Sequence, residues 1–384
     1  MVSLPEKFFT ERELTVLDDE GIEPSNAKQW FEALDSVIQQ LPKYEHDGMG
    51  LPLKEAGEPF PQEGVNHARD RESSQVWFFR GQKDASYAFN STLYRRLLNA
   101  LREKDSSPES PSAETPRALE QAMVDAEIAL LKKAERNGVV RGLTPLEKLT
   151  VLQHHGAPTR LLDVTSDWKV ALFFACEDSG DRDGRVFLIR TSVDRWKDFP
   201  NAKNLEDDPQ KLVWEDYVDT FSENSGVVPK YSWLSGVWPI LLPFSDPRMI
   251  AQRGFFLVGG LISLKGWAAL YTSVCENCKK KICDCGSENY GDPSEESLSV
   301  AELRQVTSLS VKFAAKKPRI SDLQKAPNNK WTAIGYSVRV PKEFKSQLLE
   351  LLEKEGIRKD SMYPPLSETR RLFEHVVDES LKRK

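Results

Sequence analysis

The sequence predicts an α/β (α+β) fold: a mixed, split sheet flanked by helices, with a small zinc-stapled insertion. Three observations lead there. β-prone runs recur at Gln75–Phe79 and Phe255–Ile262, continuous enough to be buried strands, at Gly184–Thr191, and at Trp331–Val340, which alternates enough to be a strand. The order strand, helices, strand, long connection, strand, then strand and helix suits a mixed sheet with helices packed against it. Four cysteines crowd between Cys275 and Cys285, with polar, lysine-rich sequence around them.

The elements follow in chain order. Residues 1–25 are polar and poorly periodic, which predicts an N-terminal arm ahead of a single domain over 26–378. From Asn26 to Leu41, Trp30, Phe31, Leu34, Val37, Ile38 and Leu41 repeat at helical spacing, with Ser25 or Asn26 as cap. Pro42–Ser74 is charged and rich in Gly and Pro, so it reads as a surface loop. The run Gln75–Phe79 then ends in Arg80-Gly81-Gln82, a polar strand tip where α/β sheets usually place a site. Leu93–Leu101 reads as helix, and the Ser/Pro-rich 104–116 stretch as a mobile loop.

A helix is predicted from Pro116 to Asn137, with proline at its first position and Gly138 past its end. Thr144-Pro145-Leu146-Glu147 is a capping box that opens the next helix, ending at Gly156. A turn holding Pro158 delivers Thr159, Arg160 and Asp163, and Ser166 or Asp167 caps an apolar helix from Trp168 to Cys176. Residues 195–240, with Trp196, Trp214, Trp233 and Trp238, read as an elaborated connection. Pro341–Glu355, closed by Gly356, and Ser367–Val377 read as the last helices.

The chain has 384 residues, and 39% of them are hydrophobic, enough for a sizeable core. A formal net charge of −6 argues against a protein whose main task is to grip nucleic acid through a basic surface. No apolar run approaches the length of a membrane span, and Met1–Leu14 lacks the apolar core of a secretory signal. With cysteines clustered rather than spread, a reducing, cytoplasmic setting is expected.

Several residues have the chemistry of a site. Arg80, a guanidinium at the end of a buried strand, suits a phosphate or carboxylate, and Gly81 beside it would let a ligand approach. Thr159, Arg160 and Asp163 gather polar groups at a junction of buried elements, where desolvation without partners is costly. An Arg160–Asp163 pair that pins the turn is the structural alternative. Cys275, Cys278, Cys283 and Cys285 match tetrahedral zinc inside an insertion over 270–297. Four thiolates leave no open position, so that zinc would be structural. His154, at a helix C-terminus, is either a general acid/base or a residue stabilised by the helix dipole. The sequence has no Walker loop, dinucleotide fingerprint or nucleophile elbow.

Phe79-Arg80-Gly81-Gln82, the block from Gln153 to Thr165 and Ala171-Leu172-Phe173-Phe174-Ala175 together resemble the FRG-domain family, named for its Phe/Tyr-Arg-Gly motif. Gln252-Arg253-Gly254-Phe255-Phe256 and the tail from Tyr336 to Leu366 extend the resemblance, which spans about Ala27 to Val377. The family usually has an aromatic residue where His155 stands, which makes His154 the better catalytic candidate. The resemblance implies an effector of a bacterial or phage defence or toxin–antitoxin system, with a partner protein and a protein or nucleic-acid target.

The order of elements is similar to that of ADP-ribosyltransferases, which implies a toxin using NAD as cofactor. Arg80, Gly81 and Gln82 would then hold ribose and phosphate, and Thr159 and Arg160 would shape the nicotinamide pocket. Gln252 would stand where the catalytic acid normally sits. Cleaving the glycosidic bond develops positive charge on the sugar, so Asp163 or Glu177 would have to supply the carboxylate. The alternatives are an RNA/DNA-directed nuclease-type toxin using His154 and a non-catalytic module that recognises a nucleotide.

Overall fold

The computed structural model describes residues 3–18, 20–41, 75–104, 116–138, 142–178, 180–192, 212, 214, 237–240, 247–260, 300–314, 316–324 and 333–363. Its strands are β1 (Gln75–Gln82), β2 (Leu162–Thr165), β3 (Gly184–Ser192), β4 (Val237–Ile240), β5 (Gly254–Gly259), β6 (Lys312–Phe313) and β7 (Ala333–Val340). They form one seven-stranded sheet in the order β4-β5-β2-β1-β3-β7-β6. All neighbours are antiparallel except β6 and β7, so the sheet is mixed, as expected, although antiparallel pairing dominates.

The sheet is continuous, but its two parts are joined narrowly. β1 pairs with β3 along its whole length, from Gln75↔Ser192 to Gln82↔Arg185, yet meets β2 only at Phe79↔Thr165. The split read from the sequence survives as this single paired position rather than as two separate sheets.

Alternation along β1 shows why its sequence is apolar throughout. Phe78 joins Phe187, Leu162, Val164 and Phe255 in a core on one face. Trp77 and Phe79 join Leu188, Tyr336 and Val338 in a core on the other. The first face is covered by α1 (Leu4–Thr10), α4 (Pro116–Arg136), α5 (Pro145–His154) and α8 (Val300–Val306). The second is covered by α2 (Ala27–Gln39), α6 (Trp168–Cys176) and α10 (Lys345–Lys354). α3 (Thr92–Lys104) packs on α4 through Leu93, Tyr94, Leu119 and Met123. Short helices α7 (Pro247–Ala251), α9 (Ile320–Gln324) and α11 (Lys359–Met362) and a 3-10 turn at Lys342–Phe344 complete the described elements.

The caps follow the sequence closely. Asn26 and Asp167 accept from Gln29 N and Lys169 N, and Thr144 with Glu147 forms the capping box of α5. Gly138, Gly156 and Gly356 take positive φ just past their helices.

The N-terminal segment corrects the reading of residues 1–25 as a polar arm. Phe8 and Phe9 are 2% and 1% exposed, and the Phe9 ring lies 4.9 Å from that of Phe187. Leu14 N also donates to Ser337 O on β7 at 2.8 Å. The segment was unrecognisable because its apolar residues are few, but those few are aromatic and bury large areas. The loop expected over 104–116 lies almost wholly outside the described residues, and the zinc insertion at 270–297 and the helix Ser367–Val377 lie entirely outside them.

Candidate functional site

The site forms where β1 and β2 part company. One residue beyond their paired position, Arg80 reaches across the gap and its Nη1 donates to Asp163 O at 2.5 Å. The same nitrogen lies 3.8 Å from the Asp163 carboxylate, a loose ion pair whose acid is largely exposed. Among the described residues no acceptor meets Nε, which is buried. Burial holds the Arg80 guanidinium below the ordinary arginine value; Asp163 opposes that shift and the charge of Arg95 adds to it. A cation held this way gains most from an anion placed beside it.

A cavity of about 780 Å³ opens over Arg80. Its wall brings together Lys83, Arg95 from α3, the C-terminal end of α5 with Gln153, His154 and His155, and Arg248 and Gln252 around α7. Four lysine or arginine side chains thus face one carboxylate, Asp163, in a chain of net charge −6. The surplus is local and positive, which concentrates anions in the cleft. Lys83 is partly spoken for by Asp178 at 2.8 Å, and the Arg248 guanidinium sits 5.1 Å over the Tyr363 ring. The His154 and His155 rings lie 5.4 Å apart, edge to face.

Arg80, Gly81, Gln82, His154, Asp163 and Gln252, all read from the sequence, line this cavity. Thr159 and Arg160 do not, and both readings need correction. Thr159 is fully buried, and its Oγ1 donates to Gln153 Oε1 at 2.9 Å. Gln153 Nε2 in turn donates to Asp163 Oδ2 at 3.1 Å, so Thr159 orients the pocket carboxylate through an intermediate.

Arg160 is 1% exposed and points the other way, between Glu120 and Glu127 of α4. Its Nε donates to Glu127 at 2.9 Å, and the guanidinium stacks 4.7 Å over Trp214. The paired turn considered as the structural alternative is therefore real in kind, but the acid is not Asp163. Arg160 precedes β2 and turns to α4, whereas Asp163, on β2, faces the cleft.

Gly81, Gln252 and Gln82 are held by structural contacts of their own. A Cβ on Gly81 would lie 1.8 Å from Ala171 O, and one on Gly184 would lie 2.4 Å from Ala175 O. Gly81 is glycine because α6 lies directly against β1, not to admit a ligand. Gln252 Nε2 donates to Met362 O at 2.9 Å, so its amide ties the C-terminal segment to the rim. Gln82 Nε2 likewise donates to Ala88 O at 3.0 Å.

Lys83, Arg95, Gln153 and Arg248 were not singled out as site residues. Lys83, Arg95 and Arg248 carry no signal but positive charge within helical or turn sequence, which resembles any solvated surface, whereas Gln153 opens the block from Gln153 to Thr165 that carries the family resemblance. Cys275, Cys278, Cys283 and Cys285 lie outside the described residues; among those described no group of metal-ligating side chains is found.

Arg80 and its neighbours sit in a segment with a recognisable signature. Residues 75–184 match the FRG domain. The FRG domain thus runs from the start of β1 to the start of β3. It contributes Arg80, Arg95, Gln153, His154 and Asp163, whereas Arg248 and Gln252 come from beyond it. No curated protein and no solved structure matches the chain. No described helix is long and apolar enough to cross a membrane.

Proposed function

We propose that the cleft of the FRG domain binds the phosphate groups of a nucleotide. The observation that carries this is Arg80: a half-buried guanidinium near the end of β1, its buried Nε without an acceptor among the described residues, beside three further cations and one carboxylate. A phosphate oxygen would meet donors the protein leaves open and would offset the charge surplus.

Within this reading the finer function is that of an NAD-using, ADP-ribosyltransferase-like effector. Gln252 cannot carry negative charge, and its amide is committed to Met362 O. Asp163 is the carboxylate that lines the cleft, and Gln153 and Arg80 flank it. It is the group that would stabilise positive charge developing on a ribose. The adjacent His154 and His155 rings favour a second reading, general acid/base cleavage of RNA beside a phosphate-binding arginine.

Purified protein incubated with labelled NAD and a cell extract tests the first. Label should appear on protein or nucleic acid and vanish in Arg80→Ala and Asp163→Asn. RNA loss without NAD, prevented by His154→Ala, would replace it with the second. A chain that binds no pyrophosphate or nucleotide by calorimetry would refute the phosphate site itself.

A further inference from the structure

Beside the cleft lies a second hollow of about 540 Å³, and Tyr87 and Arg95 line both. Tyr87 is 43% exposed, one of three large hydrophobic side chains left so open among the described residues. Its ring stands on the ridge between the hollows rather than in a core. Arg95 donates from Nη2 to Thr92 Oγ1 at 3.3 Å and has no carboxylate partner among the described residues.

The second hollow also contains Asn90, 2% exposed. Asn90 Nδ2 donates to the carbonyls of Arg304 and Gln305 at 3.4 and 3.2 Å, which fixes the amide's orientation. Its Oδ1 has no donor among the described residues. Buried polar atoms normally find a partner in the protein or in ordered water, so this acceptor leaves one to be supplied.

We infer that the two hollows are one divided site for a nucleoside phosphate: phosphate over Arg80 and Arg95, base flat against Tyr87 and extending into the second hollow. This rests on the phosphate reading above and adds the identity of the ligand's other half. An aromatic face beside a cation is the arrangement that holds a base without selecting its sequence, and one stacked base contributes roughly tenfold or more in affinity.

The test compares pyrophosphate with ADP by calorimetry on the full chain. ADP should bind about tenfold more tightly. Tyr87→Ala should bring the ADP-to-pyrophosphate ratio close to one, and Tyr87→Phe should restore it, since the ring and not the hydroxyl is required. Equal binding of both ligands to the wild type, or a ratio unmoved in Tyr87→Ala, overturns the inference while Arg80-dependent pyrophosphate binding leaves the phosphate site standing. Failure of both ligands to bind removes both.

Discussion

Arg160 offers the sharpest test, because residue type and placement give opposite expectations for it. In Arg160→Ala the carboxylates of Glu120 and Glu127, 4% and 0% exposed, lose the guanidinium between them. Trp214 Nε1 still donates to Glu127 at 2.9 Å, but among the described residues no buried cation faces the pair as closely. Removing one partner from a buried ion pair costs about 3–5 kcal/mol. At about 2 °C per kcal/mol for a chain of this size, Tm should fall by roughly 6–10 °C.

The loss should also depend on pH. Burial already holds Glu127 above the ordinary glutamate value, with Arg160 the main opposing charge, so removing Arg160 raises it further. A carboxyl raised in the folded state contributes stability below its unfolded value and loses it as pH rises through the folded one. The deficit should therefore be larger at pH 8 than near pH 5. Thermal unfolding of both proteins at the two pH values measures it, with pyrophosphate binding of the folded variant as control. A variant that keeps the wild-type Tm yet no longer binds pyrophosphate would show that Arg160 faces the ligand, and the reasoning would fail.

Gly81→Ala should destabilise by about 1–3 kcal/mol or more, because its methyl would run into the backbone of α6; unchanged urea unfolding would refute that packing role. Cys176 is fully buried, and burial pushes its thiol up to about 12. At pH 8 it should resist iodoacetamide in the native protein and react only in denaturant, as peptide mass spectrometry can read. If Cys275, Cys278, Cys283 and Cys285 hold zinc as their spacing implies, metal analysis should find one zinc per chain, lost in Cys278→Ser. A metal-free, stably folded preparation would count against it.

The elements were legible where the signal is local. Asn26, Thr144 and Asp167 cap their helices through hydrogen bonds that span two or three residues, and the apolar run at β1 declares a strand covered on both sides. Arg80 could be placed near a strand end for the same reason, because the apolar run and the arginine are consecutive in the chain. Gly81 shows the limit: a glycine after an arginine is equally consistent with a nearby ligand or a nearby helix.

By itself, then, the sequence determined the strongly periodic helices and the apolar strands β1, β3, β5 and β7, and that Arg80, His154, Asp163 and Gln252 are candidates; α1, β2 and β4 escaped it. Only the tertiary structure decided which of them share a cleft. Arg160 turned away to α4 because two buried carboxylates forty and thirty-three residues earlier compensate its charge, a pairing no local pattern carries. Arg95, Arg248 and Tyr87 joined the cleft because β1 and β2 meet at a single position and leave a gap that distant helices and turns surround. Local hydrogen bonding and alternation are encoded within a few residues; electrostatic compensation and concavity arise only once remote segments meet.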